Sequence, residues 1–336
     1  MKRMIIFVVA VLFVLGALST DGLAQKKLAQ TGCQFLSVGT DARATGMGEA
    51  FTTVEGAATA LFYNPAGMAG ELKNVNASFT QMTWIADIEY LAISLAGRPF
   101  RGQYGTFGVS AMAIDYGELD GTIVSESEEQ GYLDTGKFGP SAWTVGLGYA
   151  IDLTDRFSVG GQAKYVHQDL GSAVIPLNNE PPYITDKKDY TQNVFAFDFG
   201  TLYKTGFKSL AFGMCVRNFS REVKFEREGF QLPLTFKVGF SMDVLDFFPE
   251  LALNHNLLLS VDAVHPRDYP EYLNIGAEYK LLDLFALRAG YITGQDDYGF
   301  TAGFGVDTNF GVGIDYSYAP MDVFNNIHRF TCRLGL

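Results

Sequence analysis

The feature that most limits what this chain can become is an alternation of apolar with small or polar residues. It starts near Asn74 and recurs almost to the last residue. In "FGVGIDYSYA", Phe310, Val312, Ile314, Tyr316 and Tyr318 fall on one side, and Gly311, Gly313, Asp315 and Ser317 on the other. "EYLNIGAEYKL", "SLAFGMCVRN" and "LTFKVGFSM" repeat the pattern. A period of two sends alternate side chains to opposite faces of a strand, so each segment reads as a strand with one apolar face. Roughly fourteen such segments can be drawn, near 74–83, 87–97, 104–116, 139–151, 156–168, 192–204, 208–218, 233–243, 256–265, 271–281, 284–292, 298–306, 309–318 and 327–336. Most exceed the usual length of a soluble strand, about five or six residues, and match the roughly nine to eleven that cross a bilayer at a tilt.

The connections carry an independent signal. Long ones such as "YGELDGTIVSESEEQGYLDTGKF", "GSAVIPLNNEPPYITDKKDY" and "SREVKFEREGFQ" alternate with tight ones such as "DLTD", "KTGFK", "LLD" and "DTN". Outer-membrane barrels have long outer loops and short periplasmic turns, and an even strand number returns the chain to the periplasm. The short connection at Trp84–Ala86 and the longer "LDFFPELALNHN" fit that rhythm less well.

Alternation alone does not say whether the apolar face meets lipid or a protein core, so a secreted β-sandwich is the competing architecture. The opposing face decides against it. It carries both signs of charge on successive strands: Lys164, Asp198, Arg217, Lys237, Asp262, Glu278, Arg288, Asp315, Arg329 and Arg333. A filled polar lumen has that character, and mixed charges there read as salt-bridged filling rather than as catalytic carboxylates. Trp84, Tyr90, Tyr116, Trp143, Tyr203, Tyr291 and Tyr318 stand toward strand ends, as interfacial girdles do. The expected fold is all-β, a transmembrane antiparallel barrel of about 14 strands.

The N-terminus agrees with export. Lys2 and Arg3 precede an apolar run from Met4 to Leu18, and Gly22 and Ala24 supply the small residues of a cleavage site. Residues 1–24 therefore read as a Sec-type signal peptide, too short in its apolar part for a lasting membrane span. A composition of 48% hydrophobic and 14% aromatic residues with 37 glycines suits extensive β-structure. The net charge of −12 leaves no basic stripe for nucleic acid. Cys33, Cys215 and Cys332 are too few and too scattered for a disulfide framework.

Little else suggests chemistry. "GMGEAF" lacks the third glycine of a dinucleotide loop, because Phe51 stands there. His167, His255, His265 and His328 are far apart and show no ligand spacing. No cofactor, metal or enzymatic activity is expected, and the partners expected on charge and fold are outer-membrane lipid and lipopolysaccharide.

The stretch "VGTDARATGMGEAFTTVEGAATALFYNPAGMA" ahead of the strands has a different texture. Arg43, Gly46, Met47, Gly48, Ala50, Phe51 and Asn64-Pro65-Ala66-Gly67 stand in the register of a known motif, with Asp41 where glycine is usual. The stretch resembles the N-terminal signature of the PorV/PorQ family, within the FadL-like outer-membrane proteins. The resemblance implies a small N-terminal hatch, residues 25–72, folded into the lumen of a barrel spanning residues 73–336. It marks Arg43, Gly46, Met47, Gly48, Phe51, Asn64, Pro65, Ala66 and Gly67 as the hatch motif. Gly46 and Gly48 permit a tight path near the wall, "EGAATALFY" can form a short helix, and Asn64 before Pro65 ends it. Arg43 is placed to meet a luminal carboxylate.

Two functions follow from the resemblance. PorV/PorQ-type members serve type IX secretion, binding exported proteins and other secretion components at the outer membrane. FadL-type members are passive channels for long-chain fatty acids or other hydrophobic compounds. A hydrophobic-compound channel needs an apolar luminal path and a wall defect beside the hatch. The charged, glycine-rich inner face expected here, with few large apolar groups, favours secretion.

Overall fold

A computed structural model describes residues 31–70, 74–125, 129–178, 184–248, 254–294 and 299–336. The proposed signal peptide, residues 25–30 of the hatch and part of the acidic run Glu126–Gln130 lie outside the described residues. No helix among those described is long and apolar enough to cross a membrane. The crossing elements are strands.

In chain order they are β1 (Val75–Thr83), β2 (Glu89–Gly97), β3 (Thr106–Asp115), β4 (Leu119–Val124), β5 (Tyr132–Phe138), β6 (Ser141–Thr154), β7 (Phe157–Pro176), β8 (Thr185–Lys204) and β9 (Ala211–Ser220). There follow β10 (Val223–Phe225), β11 (Glu228–Phe230), β12 (Thr235–Asp243), β13 (His255–Pro266), β14 (Tyr272–Leu281), β15 (Phe285–Ile292), β16 (Phe300–Asp307), β17 (Val312–Ala319) and β18 (Ile327–Gly335). Fourteen of these close into one antiparallel barrel, while β4–β5 and β10–β11 are separate hairpins inserted between barrel strands. All fourteen alternating segments of the sequence correspond to barrel strands. Closure is made by β1 on β18, from Asn76 opposite Gly335 to Thr83 opposite His328. Val75 and Leu336 exchange both backbone hydrogen bonds just beyond that ladder, at 3.1 and 2.8 Å.

Alternation fixes the faces. Phe310, Ile314, Phe330, Phe240 and Ile275 are exposed on the outer wall, and all ten charged residues expected on the inner face point inward. In a membrane this places the apolar set against lipid. Two strands outrun expectation. β7 and β8 continue for 20 residues each, well past the alternating segments, as a ladder reaching Pro176 opposite Thr185. A shift of register between Asp169 and Ser172, at Gly171, bends this hairpin where it leaves the barrel. Together with β4–β5 and β10–β11 it builds up the long-loop end.

One expectation needs correction. The lumen is not uniformly polar and glycine-rich. Toward the long-loop end, Met82, Tyr90, Met112, Ile114, Val166 and Val194 point inward and form a buried apolar cluster with Cys33, Phe35, Leu36, Val223 and Leu232. Tyr90 thus belongs to the interior and not to the girdle. On β2 the outward positions are Leu91, Ile93 and Leu95, and their register sends Tyr90 the other way. On β1 and β3 the polarity reverses near the same end, with Gln81, Thr83 and Asp115 outward. A strand end that rises above the bilayer has water outside and packed protein inside, so the rule for lipid-facing positions no longer holds there.

Candidate functional site

Residues 31–70 run through the lumen from the long-loop end, where Thr31 bridges Gln231, to the short-turn end, where Gly70 meets Arg98. Three quarters of the residues on this path are buried, and only Gln34 and Ser37 are exposed. A segment so enclosed has to satisfy its backbone groups locally or on the wall, and it does both. Its one α-helix, α1 (Ala42–Gly46), is capped by Asp41, whose Oδ1 accepts from the Ala44 amide at 2.8 Å. The Ala42 amide donates to Thr331 Oγ1 on β18 at 2.9 Å. The expected helix in "EGAATALFY" is a 3-10 turn, Ala58–Phe62, followed by a second, Pro65–Met68.

Arg43 leaves α1 toward the wall and grips Glu278 with two parallel bonds, Nε at 2.8 Å and Nη2 at 2.7 Å. This planar fork is the geometry in which arginine binds carboxylate best. The network then continues along the wall. Glu278 also accepts from Arg288 Nε at 2.6 Å, and Arg288 Nη1 reaches Asp315 at 2.8 Å. Arg333 closes it, donating to Asp315 and to Asp307, the latter at 2.9 Å. Charges of both signs are therefore neutralised in pairs across β14 to β18, as burial demands.

The other motif residues follow the same logic. Gly48 has φ +61°, and a Cβ there would stand 2.9 Å from the Tyr291 amide nitrogen. Its own amide donates to Thr301 Oγ1 at 3.0 Å. Gly46 and Met47 press on the wall at Gly303 and Gly276. Phe51 packs on Tyr63, and the Phe51 and Thr52 amides and the Thr52 hydroxyl all donate to Asp262 Oδ2, at 3.0, 3.0 and 2.7 Å.

Asn64 ties three segments together. Its Nδ2 donates to the carbonyls of Thr52 and of Thr201 on β8, and its Oδ1 accepts from the Ala66 amide at 3.1 Å. Pro65 and Ala66 lie on Gly160, and Gly67 packs so close to the Val54 carbonyl that a Cβ would come within 2.6 Å of it. Of the remaining inward charges, Arg329 donates to the Gly39 carbonyl at 3.0 Å and Arg217 to that of Leu36 at 3.3 Å. Asp198 pairs with Lys164 at 2.7 Å, and Lys237 faces Glu49 at 3.7 Å.

The structure thus brings the motif and the inward charges into one body of contacts. Reading the sequence missed the wall side of it. Gly160, Gly276 and Gly290 leave room for hatch backbone, Gly200 leaves room for the Asn64 side chain and the Pro65 ring, and Thr301 and Thr331 serve as acceptors. Glycine at inward positions of strands was a usable signal, since it marks close approach of another backbone. Chemically, the arrangement holds a plug. All three cysteines are free, two of them buried, and Cys332 lies on the outer wall.

A model of the type IX secretion system membrane protein PorP/SprF family matches residues 135–331, more than half of the chain. The chain belongs to the PorP/SprF family. The match runs from within β5 to within β18 and leaves out the hatch; it does not extend to the separate PorV/PorQ likeness, which rests on the hatch motif alone. No curated protein matches this PorP/SprF-family chain significantly. Solved structures share its fold. The toluene transporter TbuX of Ralstonia pickettii superposes with a TM-score of 0.58 at 13% identity, covering 89% of this chain and 98% of the other. The toluene transporter TodX of Pseudomonas putida gives 0.57 at 11% identity, covering 92% and 98%. A FadL homologue of Pseudomonas aeruginosa gives 0.53 at 10% identity, covering 93% and 100%. At such identities the likeness is one of fold. The PorP/SprF-family protein is an outer-membrane barrel of 14 strands.

Proposed function

We propose that this barrel is a non-enzymatic component of type IX secretion of PorV/PorQ character, binding or shuttling exported proteins at the outer membrane. The observation that carries the reading is the pairing of a plugged lumen with a built-up long-loop end. The hatch is tied to the wall by the Arg43–Glu278 fork and the three bonds to Asp262. Above it stand the extended β7–β8 ladder and the hairpins β4–β5 and β10–β11. A barrel whose lumen holds a hatch and whose long-loop end is built up with hairpins suits contact with proteins better than conduction. Membership of a secretion family supports the same reading. The test is deletion of the gene followed by quantitation of surface-attached proteins. Their loss is expected, and an unchanged surface proteome would refute the role.

A second reading, a passive channel for fatty acids or other hydrophobic compounds, is favoured by the apolar cluster around Met112, Ile114 and Val166. That cluster occupies only the long-loop half. The ladder of β3 with β2 and β6 is unbroken, and the register shift at Phe197–Phe199 is closed from inside by Asp198 bound to Lys164. Growth on hydrophobic carbon sources that fails on deletion, with secretion intact, would replace the first reading by this one.

A further inference from the structure

Where it rises past the barrel wall, β8 carries a long edge that no other strand covers. Its ladder with β9 ends at Ala196 opposite Ser220, whereas its ladder with β7 continues to Thr185 opposite Pro176. From Thr185 to Phe195 one side of β8 therefore has no strand beside it among the described residues. At about 3.3 Å per residue this is on the order of 30 Å of open edge. The Leu177 amide donates to the Ile184 carbonyl at 2.7 Å, which marks that pair as hydrogen-bonded. Bonded and non-bonded pairs alternate along an antiparallel ladder, so the backbone groups of Thr185, Lys187 and Asp189 point away from β7, toward the open side. There the Lys187 amide reaches its own neighbour's carboxylate, Asp186 Oδ1, at 2.8 Å.

Exposed edges are normally guarded by a covering element, a proline, a bulge or a row of charge. The β7 side of this hairpin has two such guards. Phe138 of β5 packs on Gly171, where a Cβ would lie 2.6 Å from its ring, and Pro176 offers no amide. The β8 side lacks them among the described residues. Thr185–Phe195 contains no proline, and the register shift at Gly171 puts its extra residues on β7. β10–β11 is a separate sheet and meets β8 through side chains of the inner face, Phe225 on Tyr190 and Glu226 on Lys188. Asp186, Lys187, Lys188 and Asp189 cancel in charge, so the edge repels strands of neither sign.

A strand laid there continues the β8–β9 ladder upward. Its inner side chains would adjoin Tyr190 and Val194, with Phe225 beyond, and its outer ones the exposed Lys187, Asp189 and Thr191. A segment alternating apolar with polar residues matches both rows. A second copy does not fit. Two barrels side by side in one membrane are related by an axis along its normal, which lays β8 parallel to its copy, Lys187 beside Lys187 and Asp189 beside Asp189.

We infer that the open edge of β8, from Thr185 to Thr191, is where an exported protein docks, by adding an extended amphipathic segment of its own as one more strand. Main-chain bonds to Thr185, Lys187 and Asp189 supply the affinity, and the two rows of side chains supply the selection. The nature of the partner rests on the secretory role proposed for the barrel.

Two measurements test this. In cells, Lys187→Pro removes an edge-directed amide without touching the ladder to β7, and Lys187→Thr removes the charge but keeps the amide. With the barrel at wild-type level in the outer membrane, Lys187→Pro should lower surface-attached proteins several-fold, toward the level of the gene deletion. Lys187→Thr should leave them unchanged. In vitro, the exported proteins that the deletion displaces are purified and added to the full chain in detergent micelles. The amides of Lys187 and Asp189 should then exchange hydrogen several-fold more slowly, whereas those of Asp186 and Lys188, already bonded to β7, should not change. This measurement uses the wild-type protein, so it decides the matter even where Lys187→Pro fails to fold. Normal surface attachment in Lys187→Pro, or no protection at the edge amides, would overturn the inference and leave the secretory role standing. Protection on concentrating the barrel alone would give the edge to a second copy and overturn it too. An unchanged surface proteome on deletion would remove the secretory role and this docking site together.

Discussion

Gly160 and Gly161 are neighbours on β7 that face opposite ways, and alanine at each should have opposite effects. A Cβ at Gly161 meets the Asp198 carbonyl at 3.4 Å and the Phe199 ring at 3.7 Å, both ordinary contacts. Replacing a glycine inside a strand recovers about 0.5–1 kcal/mol of backbone entropy, so Gly161→Ala should stabilise by that much. A Cβ at Gly160 would lie 2.6 Å from the Pro65 carbonyl carbon and the Ala66 nitrogen, so the Asn-Pro-Ala-Gly backbone must retreat by about 0.8 Å to reach 3.4 Å. Neither contact is the free end of a flexible side chain. Overpacking of this kind costs about 1–3 kcal/mol. The entropy gain is common to both variants, so they should differ by the overpacking alone, again about 1–3 kcal/mol. Equilibrium urea unfolding from lipid vesicles, followed by tryptophan fluorescence, measures that difference. Gly160→Ala proving as stable as Gly161→Ala would refute the claim that the motif is seated on this wall.

Other outcomes follow from the same contacts. Ile314→Arg on the exposed outer wall should cost about 2–4 kcal/mol near mid-bilayer and impair assembly, measured by folding yield into vesicles. Asp262→Ala leaves the Phe51 and Thr52 amides without their acceptor, about 1–3 kcal/mol for each unsatisfied group, and should accelerate hydrogen exchange at those two amides. A double-mutant cycle of Arg43→Met with Glu278→Gln should return a coupling of about 0.5–3 kcal/mol, and additive effects would deny the fork its role as a tie. Removal of residues 31–70 should raise single-channel conductance in planar bilayers, because that segment occupies the lumen.

The sequence made the wall legible because burial on one side and lipid on the other impose a strict period of two, visible in segments such as Phe310–Tyr318. The motif from Arg43 to Gly67 was legible as a unit for another reason: its residue types are those that a compact, enclosed path requires. What lay hidden was pairing across the chain. Nothing local to Asp262 says that it will collect the Phe51 and Thr52 amides, about two hundred positions away. The inward Met82, Met112 and Ile114 were equally hidden, since the polar-inside rule lapses where a strand leaves the bilayer. The length of β7–β8 escaped notice because exposed hairpin strands such as Thr185–Tyr190 need no apolar face.

Closure by β1 on β18 has a consequence in time. The hatch precedes every strand in the chain, yet its partners Glu278, Thr301 and Thr331 lie on three of the last five strands to be made. Contacts of such high sequence separation form late and slowly. The hatch therefore waits, unanchored, until the C-terminal strands curl around it and the seam at Val75 and Leu336 shuts. Refolding should then show two phases, with strand formation preceding a slower locking of the plug, and a cut within residues 31–70 should abolish only the second.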